Sequence, residues 1–114
     1  MTGLIYHMCR AGEWASAERA KIYHGSSQDL ADGFIHFSTA DQIVESARRH
    51  RAHQPELLLV AVDPALLGSR LHWEPSRGGE LFPHLYGPLD PAESVSVRPL
   101  PLGPDGLHMF PELD

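Results

Sequence analysis

A single uninterrupted apolar run, Leu57–Val62, limits most strongly what this chain can fold into. Its leucine, valine and alanine residues, flanked by Pro55 and Pro64, do not alternate between a buried and a solvated face. Such a run indicates a strand that is covered on both sides. It is far too short for the roughly 20 apolar residues of a membrane span. The sequence therefore predicts a strand at the centre of a small sheet.

Length and charge narrow the class of protein further. The 114 residues are enough for one domain, which we expect to span residues 1–114. Nine Lys and Arg against fifteen Asp and Glu give a formal net charge of −6, so bulk attraction to nucleic acid or an anionic membrane is not expected. A lone cysteine, Cys9, excludes internal disulfides. No signal-peptide pattern opens the chain, so we expect a cytoplasmic protein. The sequence leaves its oligomeric state open.

Short strands and helices are predicted before the central run. Residues 4–8 are rich in β-branched and aromatic side chains and predict a strand. Residues 13–20 are good helix formers, and the apolar spacing predicts a helix with Trp14 towards the core. Residues 21–24 favour a brief strand, whereas residues 25–32 have the composition of a polar turn.

A further strand follows this turn, and after it comes the helix that the sequence predicts most clearly. Residues 34–38, Phe-Ile-His-Phe-Ser, predict a strand. Thr39 and Gln42 have the spacing of a capping box and predict a helix that ends near Arg51. The apolar stripe of this helix is predicted to consist of Ile43, Val44 and Ala47.

Proline and glycine dominate the second half of the chain. Residues 73–91 contain four prolines and three glycines among aromatic side chains, which favours an ordered functional loop. Residues 95–98 predict a last strand, and residues 99–114 an irregular tail packed on the surface. Strands on both sides of short helices make α+β the expected fold class.

Two histidines lie within the predicted strands. Alternation places His7 on one face with Ile5. It also places His36 on one face with Phe34 and Ser38. If these two faces meet, the polar side chains line one pocket, where they can hydrogen-bond a ribose hydroxyl, a phosphate or a carbonyl. The alternative is that each histidine is half-buried and satisfied by the backbone.

Residues 77–88 form the densest set of functional groups in the chain. A guanidinium, a carboxylate, an imidazole and a phenol come from Arg77, Glu80, His84 and Tyr86. Arg77 is suited to hold a phosphate or a carboxylate, and Glu80 to act as a base or to stabilise a developing positive charge. Glu80 is therefore the predicted catalytic residue. The alternative is a solvated surface turn.

The basic end of the predicted helix has a simpler explanation. Its cations are Arg48, Arg49, His50 and Arg51. Positive charge is stabilising at a helix C-terminus, so these residues do not require a ligand. His50 and His53 are three positions apart, but no third ligand follows at a diagnostic spacing. We predict no metal site.

The strand and loop motifs together carry a family resemblance. The segments are Ile5-Tyr6-His7, Trp14, Gly33-Phe34-Ile35-His36-Phe37-Ser38-Thr39, residues 58–64 and Gly79-Glu80-Leu81-Phe82-Pro83-His84-Leu85-Tyr86-Gly87-Pro88-Leu89. They resemble a bacterial family, domain-of-unknown-function family 952, over nearly the whole chain. That family is similar to the ADP-ribosyltransferases. The resemblance implies a small split, antiparallel-rich sheet with two short helices, in which NAD is clamped between two sheets.

The resemblance also implies roles for individual residues. His7 matches the first-strand histidine that contacts ribose in ADP-ribosyltransferases. Tyr86 and Glu80 are the candidates for stacking on nicotinamide and for supporting the oxocarbenium-like state, although the glutamate here precedes the tyrosine by six residues. The ligand-binding candidates are His7, His36, Ser38, Arg77, His84 and Tyr86.

Two functions are therefore open. The first is an enzyme that acts on NAD or a ribosyl phosphate through Glu80. The second is a non-catalytic module that binds a small molecule or nucleotide on the same fold.

Overall fold

The computed structural model describes residues 3–113, with Arg77 described by its backbone alone. Across this range the strands form two antiparallel sheets, accompanied by short helices. The elements are β1 (Ile5–Arg10), α1 (Ala11–Ala20), α2 (Ser27–Asp32), β2 (Ile35–His36), β3 (Ser38–Thr39), α3 (Ala40–His50), β4 (Leu57–Val62), β5 (Leu71–Pro75), β6 (Leu81–Leu85) and β7 (Ser94–Leu100). The α+β class with antiparallel pairing is confirmed.

The larger sheet has the order β3-β1-β4-β7. The run Leu57–Val62 is β4, lies between β1 and β7, and is buried on both faces as predicted. Val60 and Val62 belong to one hydrophobic cluster, whereas Leu57 and Leu59 belong to another. The larger sheet therefore separates two cores, and β4 contributes alternate residues to each.

The smaller sheet has the order β2-β6-β5. Ile35 and Leu85 pair across β2 and β6 and are fully buried in the same cluster as Val60 and Val62. Trp14 of α1 packs into this cluster as well, as predicted. The core on this side of the larger sheet is thus shared by α1 and the smaller sheet.

Helix α3 covers the opposite core. It runs from Ala40 to His50, and the predicted capping box forms because the Gln42 side chain accepts a hydrogen bond from Thr39 N at 3.0 Å. Ile43 and Ala47 are buried, but Val44 is half-exposed, so its assignment to the apolar stripe was wrong. The buried stripe follows the i, i+4 spacing of Ile43 and Ala47 and leaves Val44 to one side.

The predicted strand 34–38 is wrong as a single strand. Ile35–His36 pairs in the smaller sheet, whereas Ser38–Thr39 pairs with β1 in the larger sheet. Phe37 lies between them with its ring in the core. The chain crosses from one sheet to the other at this residue, so the period-2 pattern does not keep His36 and Ser38 in one sheet.

The polar segment 25–32 is also more ordered than predicted. It contains α2, whose capping box joins Ser26 and Asp29. Asp29 is almost fully buried, and a Cβ on Gly25 would lie 2.6 Å from the Cβ of Asp29. Because Gly25 also has φ +102, glycine is needed here for both space and backbone conformation.

The proline- and glycine-rich segment 73–91 was wrongly predicted to be a functional loop. Most of it is the β5–β6 hairpin, whose turn uses positive φ at Gly78 and Gly79. Pro83 lies in the central strand of the smaller sheet and accepts a hydrogen bond from Phe37 N at 3.0 Å. Its carbonyl thus still takes part in pairing, although the residue has no N–H.

The predicted brief strand at residues 21–24 is a single bridge between Tyr23 and Leu89. The predicted tail at residues 99–114 starts too early, because residues 99 and 100 pair with β4 as the end of β7. Residues 101–113 form no long element, as predicted, and Phe110 and Leu113 pack against the core under α3. Within residues 3–113, no helix combines the length and apolar character needed to cross a membrane.

Candidate ligand-binding cleft

A cleft of about 850 Å³ opens where the two sheets diverge. Strand β3 pairs with β1 only at residues 5 and 6. The next part of β1 pairs with β4 on one edge and borders the cleft on the edge that β3 leaves. The smaller sheet contributes His36, Phe82 and His84 to the lining. The crossing at Phe37 therefore creates the cleft as well as joining the sheets.

The best-connected polar group at the cleft is Asp29. Its carboxylate accepts hydrogen bonds from the Ser26 backbone N at 2.7 Å and hydroxyl at 3.1 Å. It also accepts from His36 through the backbone N at 3.1 Å and through Nδ1 at 2.5 Å. Burial alone would raise the pKa of Asp29, but these bonds and the nearby His7 lower it to about 2. Asp29 is therefore a buried carboxylate that remains ionised.

His7 supports this arrangement from inside the core. Its side chain is 2% exposed, with Nδ1 at 2.6 Å from the carbonyl oxygen of His36 and Nε2 at 2.6 Å from the Tyr23 hydroxyl. A carbonyl can only accept, so Nδ1 donates to His36 and Nε2 accepts from Tyr23. Burial lowers the pKa of His7, although Asp29 opposes the shift. The imidazole is therefore neutral and braces the backbone at His36.

His36 is the more accessible imidazole. Its side chain is 39% exposed and bridges two carboxylates, with Nδ1 on Asp29 and Nε2 at 3.0 Å from Asp32. Asp32 is itself 39% exposed, in contrast to the buried Asp29. The Nδ1 contact is thus with a buried carboxylate that the fold holds in place. The Nε2 contact is with an exposed carboxylate, and such surface ion pairs contribute little to stability.

A second imidazole–carboxylate pair lies on the smaller sheet. His84 Nδ1 is 2.7 Å from Glu74 Oε1, and the Tyr86 hydroxyl donates to the same oxygen at 2.8 Å. Hydrogen bonds from His84 and Tyr86 lower the pKa of Glu74. The ring of Phe34 stacks on His84, with 4.1 Å between centroids. These contacts fix the plane of the His84 ring.

Charges of both signs line the cleft. Among the described lining residues, the arginines are Arg10, Arg49 and Arg51, the carboxylates are Glu13, Asp29 and Asp32, and the imidazoles are His7, His36, His50 and His84. Arg51 donates to the Met8 carbonyl oxygen at 3.1 Å, and Arg49 donates to Glu45 at 2.7 Å. The basic residues at the end of α3 were explained by the helix macrodipole alone, but part of this helix end also borders the cleft.

The predicted site residues are only partly brought together. His7, His36, Ser38 and His84 line the cleft, with the Ser38 hydroxyl 3.2 Å from that of Ser46. Glu80 lies outside the described lining, is exposed, and accepts from Gln42 Nε2 at 2.9 Å. Tyr86 also lies outside that lining, beside Phe34. The side chain of Arg77 falls outside the described residues.

Sequence reasoning missed Asp29, Asp32 and Glu74. The spacing Ser26-x-x-Asp29 is a capping-box pattern and could have revealed both α2 and its buried carboxylate. Glu74 had no such signal, because its partner His84 is set by strand register. Among the described residues, no group of three or more His, Cys, Asp or Glu is arranged to hold a metal ion.

Comparison with known proteins then identifies the family. The profile of the family described as "Protein of unknown function (DUF952)" matches residues 8–97. The chain belongs to the DUF952 family. The suspected resemblance to this family is thereby confirmed.

Similarity to solved structures covers most of the chain. The X-ray crystal structure of protein CC0527 from Caulobacter crescentus is 43% identical, with 93% of each chain covered and a TM-score of 0.90. The solution NMR structure of the same protein is 44% identical, covers 91% of this chain and 90% of that one, and has a TM-score of 0.83. No curated protein matches. Neither structure is described with an activity or a ligand, so the resemblance to ADP-ribosyltransferases gains no support from them.

Proposed function

We propose that the cleft binds a phosphate-bearing small molecule of the ribosyl phosphate or nucleotide class. The observation that carries the proposal is that Arg10, Arg49 and Arg51 line one cleft together with His36, in a chain of net charge −6. The carboxylates of the same lining each contact a donor of the protein: Glu13 contacts Arg10 N, Asp29 contacts Ser26 N, and Asp32 contacts His36. We therefore expect the guanidinium groups to receive a bound anion, while acidic residues beyond about 8 Å are screened at physiological ionic strength. Guanidinium groups suit phosphate because they donate paired hydrogen bonds.

The size of the cleft fits this class of ligand. A volume of about 850 Å³ lies within the range of small-molecule and cofactor sites, roughly 300–1,000 Å³. NAD is one member of the class, and an ADP-ribosyltransferase-like function remains part of the proposal because the cleft lies between two antiparallel sheets. We place this function in the cytoplasm.

One observation counts against the transferase that uses Glu80. A transferase that uses Glu80 needs its carboxylate next to the bound ribose, but Glu80 lies beside Gln42 and outside the described cleft lining. The ribose-contacting role of His7 is indirect in this proposal, since both ring nitrogens have protein partners. His7 then acts by holding His36 and Asp29.

Calorimetric titration tests the proposal with two neighbouring arginines. Arg48 and Arg49 both pair with Glu45 and are 55% and 52% exposed, but only Arg49 is among the cleft-lining residues. We expect Arg49→Gln to weaken binding of NAD and ADP-ribose about fivefold, corresponding to about 1 kcal/mol for a solvated charge contact. Arg48→Gln should change the affinity less than twofold.

Adenosine is the matched ligand without phosphate. We expect it to bind at least tenfold more weakly than ADP-ribose, because the arginines of the lining then have no phosphate to contact. Equal binding of adenosine and ADP-ribose, equal losses in the two arginine variants, or no binding of any phosphate-bearing ligand would contradict the proposal.

A further inference from the structure

Two imidazoles meet on the face of the smaller sheet that lines the cleft. His36 of β2 and His84 of β6 are register partners on adjacent antiparallel strands, so their side chains project to the same side. Their ring centroids are 5.6 Å apart, with the rings inclined at 68°. Both residues line the cleft. A single small group in the cleft can therefore contact both rings.

Each imidazole is held by a carboxylate at the same ring atom. Asp29 accepts from His36 Nδ1 at 2.5 Å, and Glu74 accepts from His84 Nδ1 at 2.7 Å. A carboxylate on Nδ1 fixes the tautomer and the ring orientation, and leaves Nε2 as the atom that exchanges a proton. Two histidines oriented in this way are suited to proton transfer at two neighbouring atoms of one substrate.

We propose that His36 and His84 form a general acid–base pair that hydrolyses a phosphodiester in the cleft. This inference rests on the proposed binding of a phosphate-bearing molecule and names its substrate class. A phosphodiester suits the site because its single negative charge can be matched by the arginines of the lining. Its hydrolysis also needs two proton transfers, one from the attacking water and one to the leaving alkoxide.

The step balances with water as the second reactant. His84 Nε2 takes a proton from water as the water oxygen forms a bond to phosphorus. The bond from phosphorus to the ester oxygen breaks, and its electron pair goes to that oxygen, which takes a proton from His36 Nε2. The products are a phosphate monoester and an alcohol, and solvent returns the proton from His84 to His36.

The contacts of the two rings assign these roles. His36 faces carboxylates at both nitrogens, Asp29 and Asp32, and donates to both when it is doubly protonated. It is therefore suited to be the acid, which must release Asp32 to reach the ester oxygen. His84 has one carboxylate partner, Glu74, at Nδ1 and is suited to be the base.

The experiment uses two esters of adenosine 5′-phosphate that differ in the leaving group. The methyl ester releases a basic alkoxide, which needs a proton from an acid, whereas the 4-nitrophenyl ester releases a stable phenolate. We expect the wild-type chain to hydrolyse both. His84→Gln should lower kcat/KM by about 100-fold or more for both esters, which is the usual contribution of a general base.

The acid is identified by the difference between the esters. His36→Gln should lower kcat/KM by about 100-fold for the methyl ester but by less than tenfold for the 4-nitrophenyl ester. His72→Gln is the matched control, because His72 pairs with His84 in the same ladder but is exposed on the edge strand β5. It should retain at least half of the wild-type kcat/KM.

Folding of each variant is checked by circular dichroism, since His84 is buried. If His84→Gln does not fold, Glu74→Gln is used instead, and the pH dependence of kcat/KM should shift because the orienting carboxylate is lost. No hydrolysis of either ester while ADP-ribose still binds would overturn the acid–base pair and leave the binding proposal standing. Equal losses in His36→Gln and His72→Gln would also overturn it. Absence of both binding and hydrolysis would remove both proposals.

Discussion

The two imidazole–carboxylate pairs have the same chemistry but very different settings. Asp29 is 3% exposed and receives hydrogen bonds from Ser26 and His36, while His7 braces the same unit from the core. Glu74 is 37% exposed, lies on an edge strand, and receives hydrogen bonds from His84 and Tyr86. In the first pair the carboxylate is buried and the imidazole half-exposed. In the second pair the exposures are reversed.

The difference in carboxylate burial predicts that one pair stabilises the fold and that the other contributes little to stability. An ionised carboxylate in the core must have its hydrogen bonds satisfied by the fold, so removal of any partner is costly. A carboxylate at the surface exchanges protein partners for water with little loss. The Asp29 pair should therefore determine stability, and the Glu74 pair should mainly determine the orientation of His84.

The largest expected effect is the loss of Asp29. Asp29→Ala removes the acceptor for Ser26 and for His36, and should lower the free energy of unfolding by about 3–5 kcal/mol. Urea denaturation followed by circular dichroism measures the change. Asp32→Ala, at the other nitrogen of the same imidazole, should cost less than about 1 kcal/mol. Similar losses in the two variants would refute the contrast between buried and exposed carboxylates.

The pH dependence of stability should show the same contrast between the buried and the exposed carboxylate without a mutation. The pKa of Asp29 is lowered from 3.8 to about 2 in the folded protein, so the unfolded chain binds a proton first as the pH falls. The stabilisation by this group is present above about pH 4 and is lost towards pH 2, with a magnitude of about 2 kcal/mol.

Denaturation curves between pH 5 and pH 2 measure this loss. Asp29→Asn should flatten the pH dependence, whereas Glu74→Gln should leave most of it, because Glu74 is solvated. An unchanged slope in Asp29→Asn would show that other carboxylates account for the acid sensitivity.

A smaller effect is expected on ligand affinity. An imidazole in the cleft gains positive charge between pH 8 and pH 6, so binding of NAD, whose pyrophosphate keeps its charge in this range, should strengthen about fivefold. Calorimetric titrations with NAD between pH 8 and pH 6 measure this change. An NAD affinity that does not change with pH in the wild type would show that the histidines have a structural role only.

The smallest effect is expected at Glu80. Glu80→Gln keeps an oxygen that can accept from Gln42, and the residue is exposed, so stability should change by less than about 0.5 kcal/mol. NAD affinity should change less than twofold. Loss of NAD turnover at unchanged affinity would instead support the transferase, in which Glu80 favours the transition state. Unfolding of the variant would make Glu80 a structural anchor.

The sequence predicted those elements that are specified by local pattern. The continuous apolar run gave the position of β4, and the Thr39 capping box gave the start of α3, because both signals lie within a few residues. The crossing at Phe37 could not be predicted in this way. The strand pattern of residues 34–38 is continuous. Only the pairing of these residues with distant strands divides them between two sheets.

The site was predictable to a similar extent. His7 and His36 were singled out because polar side chains interrupt apolar strands. The neighbour that links them, Asp29, was hidden in a segment whose polar composition resembled a turn. The pairing of His36 with His84 depends on the β2–β6 register between residues 48 positions apart, which no local pattern encodes.

The most direct test of the account is the location of bound ligand in solution. Uniformly ¹⁵N-labelled protein is titrated with ADP-ribose, and amide shift changes are followed in ¹H–¹⁵N spectra. The account predicts that the largest changes lie at residues 7–10, 36–38 and 49–51, which border the cleft. Changes confined to the apolar groove between Val44 and Phe110, or no saturable change at all, would contradict it.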